Sequence, residues 1–279
     1  MSSYVKTALL LSALTALLIT LGYVIGGRGG LVIMLFISLL VNFISFFFSD
    51  KIALAMSGAR QISESEHPKI FALTRELTGR MVIPMPRLYI SNAIQPNAFA
   101  TGRNPKNSAV CFTSGLLSNL PEDEIRGVLA HELAHIKNRD VLVSTIAAVI
   151  AGTISSITDF LMFSAIFGGS DDDSPNPIAS LILIITAPII AVILQLAISR
   201  SREYLADETA AKYTKDPEGL ANALVRIESI ARQAPMQVNS AMASLYIQNP
   251  FILRGAAELF STHPPTTKRV ERLLNLNIN

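Results

Sequence analysis

The stretch Glu122-Asp123-Glu124-Ile125-Arg126-Gly127-Val128-Leu129-Ala130-His131-Glu132-Leu133-Ala134-His135-Ile136-Lys137-Asn138 decides how the rest of the chain is read. Its apolar residues recur at helical spacing. Pro121 and three acids occupy the first turn, where the helix dipole favours negative charge, and Lys137 and Arg139 close the far end. On such a helix His131 and His135 stand one above the other on a single face. Two imidazoles so placed can hold one zinc ion while Glu132 points at the ion's open position and can take a proton from water there.

A catalytic zinc takes three protein ligands and keeps one position open, so a further ligand is needed. Arg200-Ser201-Arg202-Glu203-Tyr204-Leu205-Ala206-Asp207-Glu208 supplies it, because Glu203 and Asp207 are again four residues apart on one helix face. Glu203 is assigned as the third ligand. Asp207 then holds the second ring nitrogen of a histidine. A charged helix end at a membrane surface would carry the same residues, but the histidine helix makes the ligand assignment the stronger one. His263 precedes Pro264 and Pro265 and so lies in extended or turn backbone, from which it could donate a hydrogen bond to the site. His67, also before a proline, opens a helix.

Composition limits what surrounds this site. Half of the 279 residues are hydrophobic, the mean hydropathy is +0.43 and 16% are charged, values that suit a membrane protein better than a soluble enzyme. A net charge of +2, without a basic run or interleaved aromatics, gives no support for nucleic-acid binding. The single cysteine, Cys111, sits in an apolar run, so it forms no intrachain disulfide and is expected as a buried thiol.

Four apolar segments are predicted to cross the bilayer, each near the ~20 residues this takes. They run over 7–27, 31–49, 141–167 and 178–199, the first two joined by the turn Gly26-Gly27-Arg28-Gly29-Gly30. The histidine helix is expected to run straight into the third segment, and the glutamate helix straight out of the fourth. Asp159 lies within the third and could face a neighbouring helix or water. The acidic loop Asp171-Asp172-Asp173 reads as a solvated connection rather than a calcium site. Lys51, Arg60, Lys69, Lys137, Arg139, Arg200 and Arg202 all fall on the side of the soluble portions, which places both termini and the histidine helix in the cytoplasm. Between the spans, Pro68 to Met81 reads as a helix, and 87–91, 97–101 and 108–112 read as strands whose hairpin could offer an edge to an extended peptide.

Taken together, these motifs resemble the HtpX family of membrane zinc metallopeptidases, relatives of the CAAX prenyl protease. The likeness covers essentially the whole chain, including Pro96-Asn97-Ala98-Phe99-Ala100-Thr101-Gly102, similar to the family's active-site edge strand, and Thr262-His263-Pro264-Pro265, similar to its late histidine-proline motif. It implies that Asn97, Ala98 and Phe99 contact substrate, that His263 is an oxyanion or substrate contact, and that Asn138 and Asp140 support the metal ligands.

The expectation is therefore a mainly α integral membrane protein. Four transmembrane helices carry a zincin-like α+β catalytic domain with a small β-sheet. Its parts are 1–49 and 141–199 in the membrane, and 50–140 and 200–279 forming the two halves of a cytoplasmic catalytic domain. The expected activity is zinc-dependent endoproteolysis at the inner membrane, one zinc per chain, with Glu132 and His263 catalytic and His131, His135 and Glu203 on the metal. Unfolded or misfolded membrane proteins are the implied substrates. A prenyl-processing protease and a zinc-holding adaptor without activity are the alternatives; the small number of spans opposes the first, and the intact Glu132 opposes the second.

Overall fold

The computed structural model describes residues 3–167, 200–233, 240–248 and 264–277. His263, the acidic loop 171–173, the fourth apolar segment and the side chain of Asp159 lie outside the described residues. What is described is mostly helical with one small mixed sheet.

The first helix, α1 (Ser3–Phe47), breaks at Gly26 and at Gly27, whose φ of 57° and ψ of −140° suit glycine alone. The break folds the helix into two antiparallel arms. A Cβ on Gly30 would lie 2.1 Å from the Gly22 carbonyl oxygen, so the arms meet backbone to backbone next to the turn. Farther along, the Asn42 amide donates to Thr15 Oγ1 at 2.7 Å and to the Leu11 carbonyl at 3.3 Å. Gly26–Phe47 is long and apolar enough to cross a bilayer, while Tyr4–Thr20 and Val141–Gly152 are apolar but shorter. Val32, Ile33, Phe36, Leu39, Leu40 and Phe43 on the second arm are each more than half exposed, an apolar surface suited to lipid rather than water.

After α2 (Ser49–Met56) come β1 (Arg60–Gln61), α3 (Pro68–Met81), β2 (Arg87–Ser91), β3 (Ala98–Asn104) and β4 (Asn107–Thr113). The sheet order is β1-β2-β4-β3. β2 and β4 are parallel, and the other two pairings are antiparallel. β3 is thus an edge strand, as the hairpin suggested, yet Ala98 to Gly102 are buried without alternation. The reason is that both its faces are covered. Ala98 and Ala100 join the main core, and Phe99 packs in a second cluster with Cys111, Ala148 and Tyr246. Alanines on the first face leave room for a helix to lie close.

That helix is α5 (Glu122–Asn138), which follows the short α4 (Ser114–Asn119). It packs on α7 (Arg200–Thr214) and α8 (Pro217–Gln233). A Cβ on Gly127 would come within 2.6 Å of the Leu220 nitrogen, so glycine permits this close approach. Buried Glu124 receives two hydrogen bonds from Arg226, at 2.7 and 2.8 Å, which fix α8 against α5. A 3₁₀ turn (Ser240–Ser244) and α9 (Thr266–Leu274) complete the described chain.

One expectation is corrected here. α5 does not run straight into α6 (Val141–Phe167), because Arg139 adopts left-handed backbone at φ 58° and ends it. α6 then sets off anew along the first arm of α1, with Leu142, Ile146 and Ile150 against Leu10 and Leu14.

Candidate active site

α5 and α7 cross so that His131 and His135 face Glu203 from the first turn of α7. The two Nε2 atoms are 3.1 Å apart. Glu203 approaches them with carboxylate oxygens 3.6 Å from His131 Nε2 and 3.7 Å from His135 Nε2. One ligand atom from each residue fits within a 4.8 Å group. Distances of this kind surround a point that a metal ion at 2.0–2.2 Å from each donor could occupy.

The opposite ring nitrogens are already spoken for. His131 Nδ1 is 2.9 Å from Asp207 Oδ1, and His135 Nδ1 is 3.2 Å from Asp140 Oδ1. Each carboxylate accepts a hydrogen bond from Nδ1–H and so turns the Nε2 lone pair toward the common point, which is the tautomer a metal needs. Asp140 can do this because of Arg139. Five residues on in an unbroken helix it would point well away from His135, whereas the left-handed step returns the chain and the Asp140 nitrogen bonds the His135 carbonyl at 3.3 Å.

Behind Asp207 stands Arg269 of α9, wholly buried, donating from Nε at 2.9 Å and from Nη2 at 2.7 Å to the two carboxylate oxygens. Its Nη2 also lies 3.4 Å from His131 Nδ1. Sequence reasoning passed over this residue. The signal was present in the helical phase, since Thr266, Arg269 and Leu273 form the buried face of α9.

Glu132 is buried on the neighbouring face of α5, toward β3, with the Ala100 main chain near its carboxylate. Its Oε1 has no hydrogen-bond partner among the described residues. Burial pushes its pKa up, against the pull of the two imidazoles. Burial opposes charge on His135, but Asp140 and Glu203 carry it up to about 10; for His131 the hydrogen bonds to Asp207 and Glu203 likewise outweigh burial. Asp140, Glu203 and Asp207 thus place negative charge around the two imidazoles, a field that favours a cation.

Of the remaining sequence candidates, Asn138 ends α5 and its amide nitrogen is buried without a partner among the described residues. Asn97, Ala98 and Phe99 are wholly buried, and the Asn97 amide donates at 2.9 Å to the Gln248 carbonyl.

Residues 64–277 match the family described as Peptidase family M48. The chain belongs to that family. Membership makes it a metalloprotease, and the His131, His135 and Glu203 cluster could form a metal site. This family member is 53% identical to a Protease HtpX homolog of Pelotomaculum thermopropionicum, over 96% of this chain and 97% of that one. It is 50% identical to a Protease HtpX homolog of Pyrococcus furiosus, over 97% and 94%. The crystal structure of S. mikatae Ste24p aligns with a TM-score of 0.49 at 20% identity, covering 96% of this chain and 67% of that one.

Proposed function

We propose that the metal is zinc, one per chain, and that the protein is an endopeptidase working at the cytoplasmic face of the cell membrane on unfolded or damaged membrane proteins. The observation that carries this reading is the convergence of His131 Nε2, His135 Nε2 and Glu203 beside buried Glu132. The nitrogen-rich donor set with a single carboxylate fits zinc, which when bound acidifies water and polarises a peptide carbonyl.

The chain's own residues do the rest. Asp207 and Asp140 hold the imidazoles in register. Glu132, kept proton-hungry by burial, accepts the proton of the attacking water and delivers it to the leaving amine. The peptide lies along the outer edge of β3, where main-chain hydrogen bonds tolerate many sequences, as clearance of misfolded proteins demands. His263 is assigned, on sequence likeness alone, to the developing oxyanion, and Asn138 to support of the ligands.

Four membrane crossings suit this arrangement. The hairpin of α1 returns the chain to the side it started from, and α6 packs on its first arm. Lys51, Arg60, Lys137, Arg139, Arg200 and Arg202 then gather on the side of the active site.

The test is cleavage of casein by detergent-purified, zinc-loaded protein, wild type against Glu132→Gln. Wild type should cleave and the variant should lose at least about a hundredfold. Equal rates would end the proposal.

A further inference from the structure

The outer edge of β3 is not open along its whole length. Beside Ala98, two residues from Ala100 and its neighbour Glu132, lies the chain's own segment Ile247–Gln248. All four of its main-chain polar groups are taken. The Ile247 nitrogen donates to the Ala98 carbonyl at 2.9 Å, and the Ile247 carbonyl accepts from Arg269 Nη1 at 2.9 Å. The Gln248 nitrogen donates to Asn97 Oδ1 at 3.4 Å, and the Gln248 carbonyl accepts from Asn97 Nδ2 at 2.9 Å. This is how an extended peptide is gripped, by a strand edge and by polar side chains that ignore its sequence. The same Arg269 holds Asp207, and through it His131, so the segment lies one guanidinium away from a metal ligand. The Ile247 side chain, 2% exposed, is part of the main hydrophobic core.

We propose that Ile247–Gln248 is an internal pseudo-substrate: it occupies the peptide site of β3, Asn97 and Arg269, and a substrate must displace it to reach the metal. The proposal rests on the reading of β3 as the peptide-binding edge. It explains how a protease with little sequence preference avoids digesting its surroundings. The segment is tethered upstream, where Met242, Leu245 and Tyr246 are buried and Tyr246 meets Phe99 edge-on at 5.2 Å. Downstream, the Gln248 amide donates to Thr266 Oγ1 at 2.6 Å. The Gln248–Thr266 bond is a latch outside the catalytic groups.

Gln248→Ala and Thr266→Val each remove that latch, from opposite sides. An internal competitor raises KM and leaves kcat alone, so both variants should lower KM for casein about three- to tenfold at unchanged kcat, the range one neutral hydrogen bond supplies. The same variants in a Glu132→Gln background should bind fluorescein-labelled casein more tightly by a similar factor. Metal content and thermal midpoint serve as controls for folding. Unchanged or weaker binding in both variants overturns the pseudo-substrate. If the variants tighten binding while wild type cleaves nothing, the peptide site stands and the proposed chemistry falls; if wild type cleaves and KM does not move, the reverse holds.

Discussion

Arg269 closes two hydrogen bonds on Asp207, at 2.9 and 2.7 Å, with the arginine wholly buried and the aspartate 3% exposed. Burial alone would push the Asp207 carboxyl up, but Arg269 and His131 hold it below the usual carboxylate range. The aspartate thus stays charged and able to orient His131. Removing the arginine strands that charge in the core, at a cost of about 3–5 kcal/mol. Arg269→Met is expected to lower stability by that order and metal affinity by roughly tenfold to a hundredfold. Arg269→Lys keeps the charge but loses the fork, so it should recover part of the stability. Denaturant midpoints and metal content per chain check both; a variant with full metal and wild-type stability would contradict the coupling.

Asp140 makes the matching contact to His135 with only the charge of the partly exposed Arg202 near it, where Asp207 has the forked hydrogen bonds of a wholly buried arginine. Asp140→Ala should therefore weaken metal binding by about ten- to a hundredfold while costing less stability than Arg269→Met. Competition against a chromophoric chelator measures the first, and thermal unfolding the second. If the two variants destabilise equally, Asp140 is doing more than orienting one ring.

How much of this was legible beforehand depended on whether a periodicity carried it. The pairs His131/His135 and Glu203/Asp207 sit at helical spacing, and the structure brings them together. The strands at 87–91, 97–101 and 108–112 could be read from β-branched and aromatic residues between turn signals, with boundaries off by a few residues. The role of Asp140 was visible only through family likeness, because it depends on left-handed backbone at Arg139, where no glycine announced a break. Arg269 was hidden between Lys268 and Arg272, looking like one more surface cation of a helix end. The segment 245–248 has neither helical nor strand periodicity, and its position against β3 comes from contacts 150 residues distant in sequence, such as Asn97 Nδ2 to the Gln248 carbonyl.

Cys111 offers a test of the packing behind β3. Burial pushes its thiol from 9.0 up to about 12, with the neighbouring Ser57 and Ser91 hydroxyls only partly offsetting this. In the folded protein it should resist iodoacetamide at about pH 8 and react once denaturant is added. The sign of the linkage follows: the unfolded thiol ionises first as pH rises past 9, so the folded state loses stability between there and about 12. The advantage of wild type over Cys111→Ala in denaturant midpoint should accordingly shrink above about pH 9. A gap that does not change with pH would mean that the thiol is more exposed than Cys111 is here.

Metal removal tests the site as a structural cross-link. The proposed ligands come from α5 and α7, in parts of the chain on either side of 141–199, so an ion there would bind the folded arrangement and not the unfolded chain. Free metal at about a thousand times its dissociation constant would stabilise by roughly 4 kcal/mol. Treatment with a chelator should lower the thermal midpoint by several degrees, and zinc should restore it. Amide exchange should rise first in α7 around Glu203 and Asp207, whereas α3, which packs through Leu73, Leu77 and Met81, should keep its protection. Uniform exchange across α3 and α7 after chelation would mean that the metal holds up the whole domain and not only the seam between the two ligand helices.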